Sequence, residues 1–95
     1  MARRYSKARL RRLRNDIAIQ DLIADVLCLP HKVSEGSFRF LCPRCSEFNS
    51  AVNPTTNLAR CFCCERNYNP IDLVMVVKDY SFREAVEFLL PLLHA

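Results

Sequence analysis

Two pairs of closely spaced cysteines constrain the fold of this 95-residue chain more than any other feature. Cys42 and Cys45 form one C-x2-C pair, Cys61 and Cys64 form a second, and 15 residues separate the pairs. Two residues between cysteines allow a tight turn to direct both sulfurs at one ion, and a hairpin between the pairs places the turns opposite each other. The spacing therefore predicts one structural Zn²⁺ held by four thiolates, with zinc favoured over iron, which an all-cysteine site also accepts.

The other cysteines leave one alternative open within the motif. Cys61 and Cys63 are also close enough in sequence to ligate one ion. The C-x2-C spacing of the first pair favours Cys64, which would leave Cys63 beside the site or exposed. Cys28 lies among apolar residues, so we expect a buried small hydrophobe. We expect His31 at the surface, because four cysteines already complete the site.

The composition and the charge distribution are those of a small folded domain with a basic N-terminal segment. The chain is 51% hydrophobic and 25% charged, which favours a single globular domain. We divide it into a basic arm, residues 1–15, and a zinc-ribbon domain, residues 16–95. The arm holds seven basic residues and no acidic residue, whereas the domain has a net charge of −3. The basic residues of the arm are Arg3, Arg4, Lys7, Arg9, Arg11, Arg12 and Arg14.

The sequence indicates a cytoplasmic protein without a membrane segment. No stretch of about 18 apolar residues is present, and no apolar signal sequence follows the basic N-terminus. In a reducing compartment, paired cysteines favour a metal site over the alternative of disulfides.

Hydrophobic periodicity predicts a small α+β fold. One N-terminal helix is expected from the spacing of Ile19, Leu22, Ile23, Val26 and Leu27, with Asn15 or Asp16 as its N-cap. Strands are expected at 37–41, 50–53 and 58–62, with a turn at 54–57. Two C-terminal helices are expected to begin after Asn69 and Ser81, and Ser81 and Glu84 form a capping-box pattern. The predicted architecture is a zinc ribbon with a short antiparallel sheet, one N-terminal helix and two C-terminal helices.

Several motifs around the cysteines resemble the zinc-binding domain of bacterial and phage DNA primases of the DnaG type. The similarity covers roughly residues 17–93. The sequence departs from that family in two places. Cys45 occupies the position of a ligand that is usually histidine, and Cys63 and Glu65 occupy positions where the family has glycines. The motifs are Leu41-Cys42-Pro43, Val52-Asn53-Pro54, Cys61-Phe62-Cys63-Cys64, Ile71-Asp72-Leu73-Val74 and Tyr80-Ser81-Phe82-Arg83-Glu84-Ala85-Val86.

The resemblance implies a non-catalytic module that binds single-stranded DNA beside a separate polymerase, primase core or helicase. Catalysis by the chain itself is not expected, because it has neither an open metal position nor a nucleophile with an adjacent base, and no small-molecule substrate is expected. Arginine pairs with phosphates and aromatic rings stack on bases. Besides the seven basic residues of the arm, the residues expected to contact DNA are Arg39, Arg44, Arg60, Arg66 and Tyr68.

A second hypothesis is a protein-interaction zinc ribbon. The two C-terminal helices carry more apolar residues than one core-facing side requires, which would allow some of them to dock a partner.

Overall fold

A five-stranded antiparallel sheet forms one layer of the structure, a computed structural model that describes residues 5–94. The strand order is β1-β2-β3-β4-β5, so every strand pairs with its neighbours in sequence. The strands are β1 His31–Ser34, β2 Ser37–Phe40, β3 Ser50–Asn53, β4 Leu58–Cys61 and β5 Arg66–Tyr68. The predicted fold class, a small α+β zinc ribbon with an antiparallel sheet, is confirmed.

Four helices share one hydrophobic core with this sheet, and they are one more than the sequence predicted. The first is α1, Lys7–Asn15, and the second is α2, Ile19–Asp21, which continues as a π-helical turn over Leu22–Val26. The two C-terminal helices are α3, Pro70–Lys78, and α4, Phe82–Leu89, followed by a 3₁₀ turn over Leu90–His94.

The break between α1 and α2 is where the sequence prediction was wrong. Asn15 ends α1, and the N–H of Asp16 bonds the carbonyl of Arg12 at its C-terminus, so neither residue caps the next helix. The N-cap of α2 is Ala18, whose side chain offers no acceptor. The amide oxygen of Asn57, from the turn between β3 and β4, accepts the N–H of Ile19 instead, at 2.9 Å.

The capping signals at α3 and α4 are confirmed. The Asn69 side chain accepts the N–H of Asp72, and the Asp72 carboxylate accepts the N–H of Asn69. Ser81 and Glu84 make the same reciprocal pair. Each box satisfies two backbone donors that a helix start leaves unpaired.

The strand β1, and with it the β1–β2 hairpin, was absent from the sequence prediction, which gave only the strand at 37–41 of this pair. The two turn residues of the hairpin, Glu35 and Gly36, have φ of 52° and 77°, which is the left-handed pair that a two-residue hairpin turn requires. The sequence signal was the single glycine three residues after Val33, with an alternating strand on its other side. The short strand β5 was also absent from the prediction.

One core fills the space between the helices and the covered face of the sheet. Phe38 and Phe40 of β2 are buried in it. The predicted burial of Cys28 is wrong, because it is exposed with φ of 53°. It closes the preceding helical segment in the left-handed conformation, which lets the N–H of Leu29 reach the carbonyl of Ile23 at 3.0 Å.

The helix α1 lies within the stretch that the sequence set apart as an arm. Its Leu13 is fully buried, and the helix contacts α3 and α4. The N-terminal part is also tied to α4 by the Tyr5 hydroxyl, which donates to the Glu87 carboxylate at 2.7 Å. Across residues 5–94, no helix is long and apolar enough to cross a bilayer.

Candidate metal centre and nucleic-acid interface

Four cysteine sulfurs converge at one end of the sheet. The sulfurs of Cys42, Cys45, Cys61 and Cys64 all lie within 4.8 Å of one another. Four sulfurs bound at ~2.3 Å to one ion would stand ~3.8 Å apart. The Cys45–Cys61 and Cys42–Cys64 sulfur distances are 3.5 and 4.0 Å, so the four cysteines are positioned to bind one zinc ion, as the spacing predicted.

The two cysteine turns have the same local design. The backbone N–H of Arg44 points at the Cys42 sulfur at 3.4 Å, and that of Cys64 points at the Cys61 sulfur at 3.3 Å. The residue after each pair, Ser46 or Glu65, has a left-handed φ of 59° or 55°. That conformation is easiest for glycine, and here two residues with side chains adopt it.

The electrostatics divide the four thiols into two with a lowered pKa and two with a raised pKa. Burial acts to raise the pKa of the Cys61 thiol, but the hydrogen bond from the Cys64 N–H and the nearby Ser50 hydroxyl outweigh burial and bring the pKa to about 6. The pKa of Cys42 is lowered in the same way, against burial, by the backbone of Cys45 and Arg44. Burial raises the pKa of Cys45 and of Cys64.

A buried hydroxyl beside the cysteines tests whether the site fits a metal. Ser50 is fully buried, and its Oγ makes no hydrogen bond of ordinary length. The residue faces Cys61 across the β3–β4 pair, and its hydroxyl is near enough to lower the pKa of that cysteine. A buried hydroxyl without a strong acceptor is costly. Metal binding would turn Cys61 into a thiolate and so supply that acceptor, which means that the residues fit the ion.

When bound, zinc supplies a cross-link between the two cysteine turns. The choice between Cys63 and Cys64 is resolved, because Cys63 is exposed and lies outside the sulfur cluster. His31 is exposed as expected, and its ring stacks on Phe38.

A row of five residues, four of them polar, crosses the opposite face of the sheet. Residues paired across antiparallel strands lie on the same face, and the registers connect one residue of each strand in sequence. This cross-sheet row consists of Lys32, Arg39, Ala51, Arg60 and Asn67. It brings together the predicted Arg39 and Arg60, which are two strands apart, or ~10 Å.

Two exposed phenylalanine rings lie beside the row. Phe62 is 59% exposed, and the Arg60 guanidinium lies over its ring, 5.8 Å from the centroid. Phe48 is 37% exposed, with the Lys32 ammonium 5.3 Å from its centroid. These rings have no place in the core, so they are the exposed aromatic surface that the sequence reasoning did not assign. The available signal was their position in the sequence, since Phe48 follows the first cysteine pair and Phe62 lies inside the second.

Arg60, Phe62 and Asn67 also line a shallow depression of about 380 Å³ on this face. The Asn67 amide oxygen accepts a hydrogen bond from the Arg60 guanidinium at 3.3 Å. This hydrogen bond and the contact with the Phe62 ring hold the Arg60 guanidinium beside the depression.

The structure separates the other predicted DNA contacts from this row. Arg44 is exposed in the first cysteine turn. Arg66 is exposed on β5 but pairs with Cys61, which places it on the other face from Arg60. The expectation for Tyr68 is corrected, because this residue is 2% exposed and its ring has no face open to a base.

The predicted contacts of the arm lie on or before α1. Lys7, Arg9, Arg11 and Arg12 are exposed and Arg14 is half-buried. Arg12 pairs with Asp16 at 3.3 Å. Arg3 and Arg4 lie outside the described residues.

The comparisons with known proteins agree with the metal centre. No curated protein matches the chain significantly. A family model described as the CHC2 zinc finger matches residues 5–95. Because that match spans nearly the whole sequence and the four sulfurs converge as such a finger requires, the chain belongs to the CHC2 zinc finger family, the zinc-binding domain of DnaG-type primases.

Proposed function

We propose that this chain binds single-stranded DNA across the open face of its sheet and serves primer synthesis or DNA replication. The observation that carries the proposal is the cross-sheet row with its two exposed rings. Cations attract the phosphate backbone, and Phe62 offers a stacking surface that every base can use. The family, a zinc finger of primase type, gives the proposal its biological context.

We propose that the chain contributes binding, and that catalysis belongs to a separate polymerase, primase core or helicase. Four cysteines complete the coordination of the ion, and a zinc site closed in this way has no position for a reacting water. Free thiolates suit a reducing compartment, so the cytoplasm is the proposed location.

The basic side of α1 is proposed as a second contact with DNA. Lys7, Arg9 and Arg11 are exposed and have no ion-pair partner among the described residues. Such a surface adds affinity without reading sequence. Leu13 of the same helix is buried, so deleting the helix would also disturb the core. The contribution of the basic side of α1 to DNA affinity is therefore best tested by replacing its three cations with glutamine.

The test is fluorescence anisotropy of zinc-loaded protein with a labelled oligothymidylate over a salt series. Replacing Arg39 and Arg60 with alanine is expected to weaken binding at least tenfold and to reduce the slope of log K against log salt by ~1.4, or ~0.7 for each lost phosphate contact. Phe62→Ala is expected to remove a stacking contact of ~1–3 kcal/mol.

Arg83→Ala is the matched control, because Arg83 is an exposed arginine on α4, in the helical layer. It is expected to bind DNA like the wild type. If Arg83→Ala weakened DNA binding as much as the sheet variants, the effect would be one of net charge, and the sheet would not be the binding surface. No binding at low salt would reject the DNA-binding role.

Docking of a protein partner through the C-terminal helices is the second candidate function. Half of the large apolar residues on α3 and α4 are buried in the core, namely Ile71, Leu73, Val74, Val86 and Leu89. The others are half-buried, except Phe82 at the start of α4, which is 44% exposed. Binding of a replication partner that survives high salt and is lost in Phe82→Gln would favour this candidate, because apolar contacts are not screened by salt.

A further inference from the structure

Tyr68 is a buried phenol whose hydroxyl points at the metal centre. The side chain is 2% exposed, and its hydroxyl lies 3.7 Å from the sulfur of Cys42. A buried tyrosine normally finds a partner for its hydroxyl, because leaving that group unpaired in the core is costly. Here the sulfur of a metal ligand is that partner.

Ser50 repeats this arrangement on the second cysteine turn. It is fully buried on β3 and faces Cys61 across the strand pair. Its Oγ has no hydrogen bond of ordinary length to any atom of the described chain. Two buried hydroxyls therefore lie beside two different sulfurs, those of the first cysteine in each C-x2-C pair.

The two sulfurs next to these hydroxyls are also the most enclosed of the four. Cys42 and Cys61 are 0% exposed, whereas Cys45 and Cys64 are only half-buried. Four thiolates around one divalent ion carry a net charge of −2, and burying that charge requires hydrogen-bond donors around it. Backbone N–H groups supply one donor to each buried sulfur, and the hydroxyls are placed to supply a second.

We propose that Tyr68 and Ser50 are positioning residues of the metal centre, whose hydroxyls donate to the Cys42 and Cys61 thiolates. The buried half of the centre is thereby held in place. Cys45 and Cys64 form the accessible half, where chelators and electrophiles attack first. This inference concerns the metal alone and does not depend on the proposed DNA binding.

Tyr68→Phe is the direct test, because it keeps the ring and removes only the hydroxyl. Partners of metal ligands typically change metal affinity by ~10–100-fold when they are removed, and a loss of zinc affinity in that range is expected from competition with a chromogenic chelator. In the Co²⁺-loaded protein, the sulfur-to-cobalt charge-transfer band is expected to move to lower energy, because a thiolate that loses a proton donor gives up its electrons more readily.

Tyr80→Phe is the control. Tyr80 is half-buried with its ring against Phe88, and its hydroxyl makes no bond to a cysteine within the described residues. Its affinity and its spectrum are expected to match the wild type. Ser50→Ala removes the second hydroxyl with almost no change of volume, so it gives an independent result if Tyr68→Phe does not fold.

Alkylation of Cys42 and Cys45 can be measured separately, because trypsin cleaves after Arg44 and leaves the two cysteines in different peptides. In zinc-loaded wild-type protein treated with iodoacetamide, we expect Cys45 to be alkylated before Cys42. Equal alkylation rates would overturn the proposed asymmetry. An unmoved cobalt band in both Tyr68→Phe and Ser50→Ala would overturn the hydrogen bonds, even if zinc affinity fell through lost packing.

Discussion

The side-chain oxygen of Asn57 accepts a hydrogen bond from the backbone N–H of Ile19 at 2.9 Å, across 38 positions of sequence. The amide nitrogen of the same side chain donates to the carbonyls of Arg14 and Ile17, each at 2.7 Å. One residue of the β3–β4 turn therefore satisfies both the last turn of α1 and the start of α2. Its left-handed φ of 56° is one that asparagine tolerates better than most residues.

Asn57→Ala is expected to lower the free energy of unfolding by about 2–3 kcal/mol. Three hydrogen bonds are lost, each worth about 1 kcal/mol, and two backbone carbonyls lose a partner. For a domain of this size, 1 kcal/mol corresponds to a change in Tm of about 4–8 °C, which thermal denaturation followed by circular dichroism resolves. Asn49→Ala, in an exposed loop position, serves as the control, and a Tm change as small as that of the control would contradict the role of Asn57.

Removal of zinc is expected to unfold much of residues 37–68. Structural zinc in finger peptides contributes about 10–16 kcal/mol, which exceeds the usual stability of a small domain. Circular dichroism and melting before and after chelation measure the loss, and an unchanged Tm after complete zinc removal would contradict it. Cys64→Ser is expected to behave like the zinc-free protein, whereas Cys63→Ser, at an exposed position outside the cluster, is expected to behave like the wild type.

Acidification is expected to release zinc steeply. Thiols in an unfolded chain have a pKa of ~8.5, so four protons must leave when zinc binds below that pH. Apparent affinity then falls with decreasing pH by up to ~4 log units per pH unit. In Cys45→His the slope is expected to be ~3 between about pH 6.5 and 8.5, because imidazole is neutral there. Chelator competition at several pH values measures both slopes, and a wild-type slope of 3 or less would mean that fewer than four cysteines bind.

Glu65→Gly is expected to leave stability unchanged or to raise it by up to ~1 kcal/mol. A left-handed conformation costs a residue with a side chain ~1–2 kcal/mol, and glycine avoids that cost but loses ~0.5–1 kcal/mol through its flexibility. Glu47→Gly, at an exposed position without a left-handed φ, is expected to lose stability. Melting of both variants in saturating zinc decides the matter, and a clear loss in Glu65→Gly would count against relief of strain.

The features predicted from the sequence are those whose determinants lie within a few residues of each other. The C-x2-C pairs, the N-cap at Asn69, the capping box at Ser81 and the 54–57 turn are local patterns with one favoured geometry. The failures depend on distant contacts. Nothing near Ile19 shows that Asn57 caps it, and the partner of the buried Tyr68 hydroxyl is a sulfur 26 positions away.

Amphipathic patterns also misled where a residue closes an element instead of continuing it. Cys28 follows an apolar run, but it adopts the left-handed conformation that ends the helical segment and turns its side chain outward. The DNA contacts predicted for Arg39 and Arg60 stay predictions. Whether they share one row depends on the strand register. Neither the cysteine spacing nor the turn at 54–57 determines that register alone.

The β3–β4 hairpin is fastened at both of its ends. Asn57 fixes its turn to the helices, and at the other end Cys61 joins the metal cluster. Side chains alternate between the two faces of a strand, so sliding β4 by a single residue would point Arg60 into the core and withdraw Cys61 from the ion. Zinc binding therefore also selects the correct register of β4. Without the ion, a shifted register that places Arg60 on the core face would not be penalised by the loss of a metal ligand.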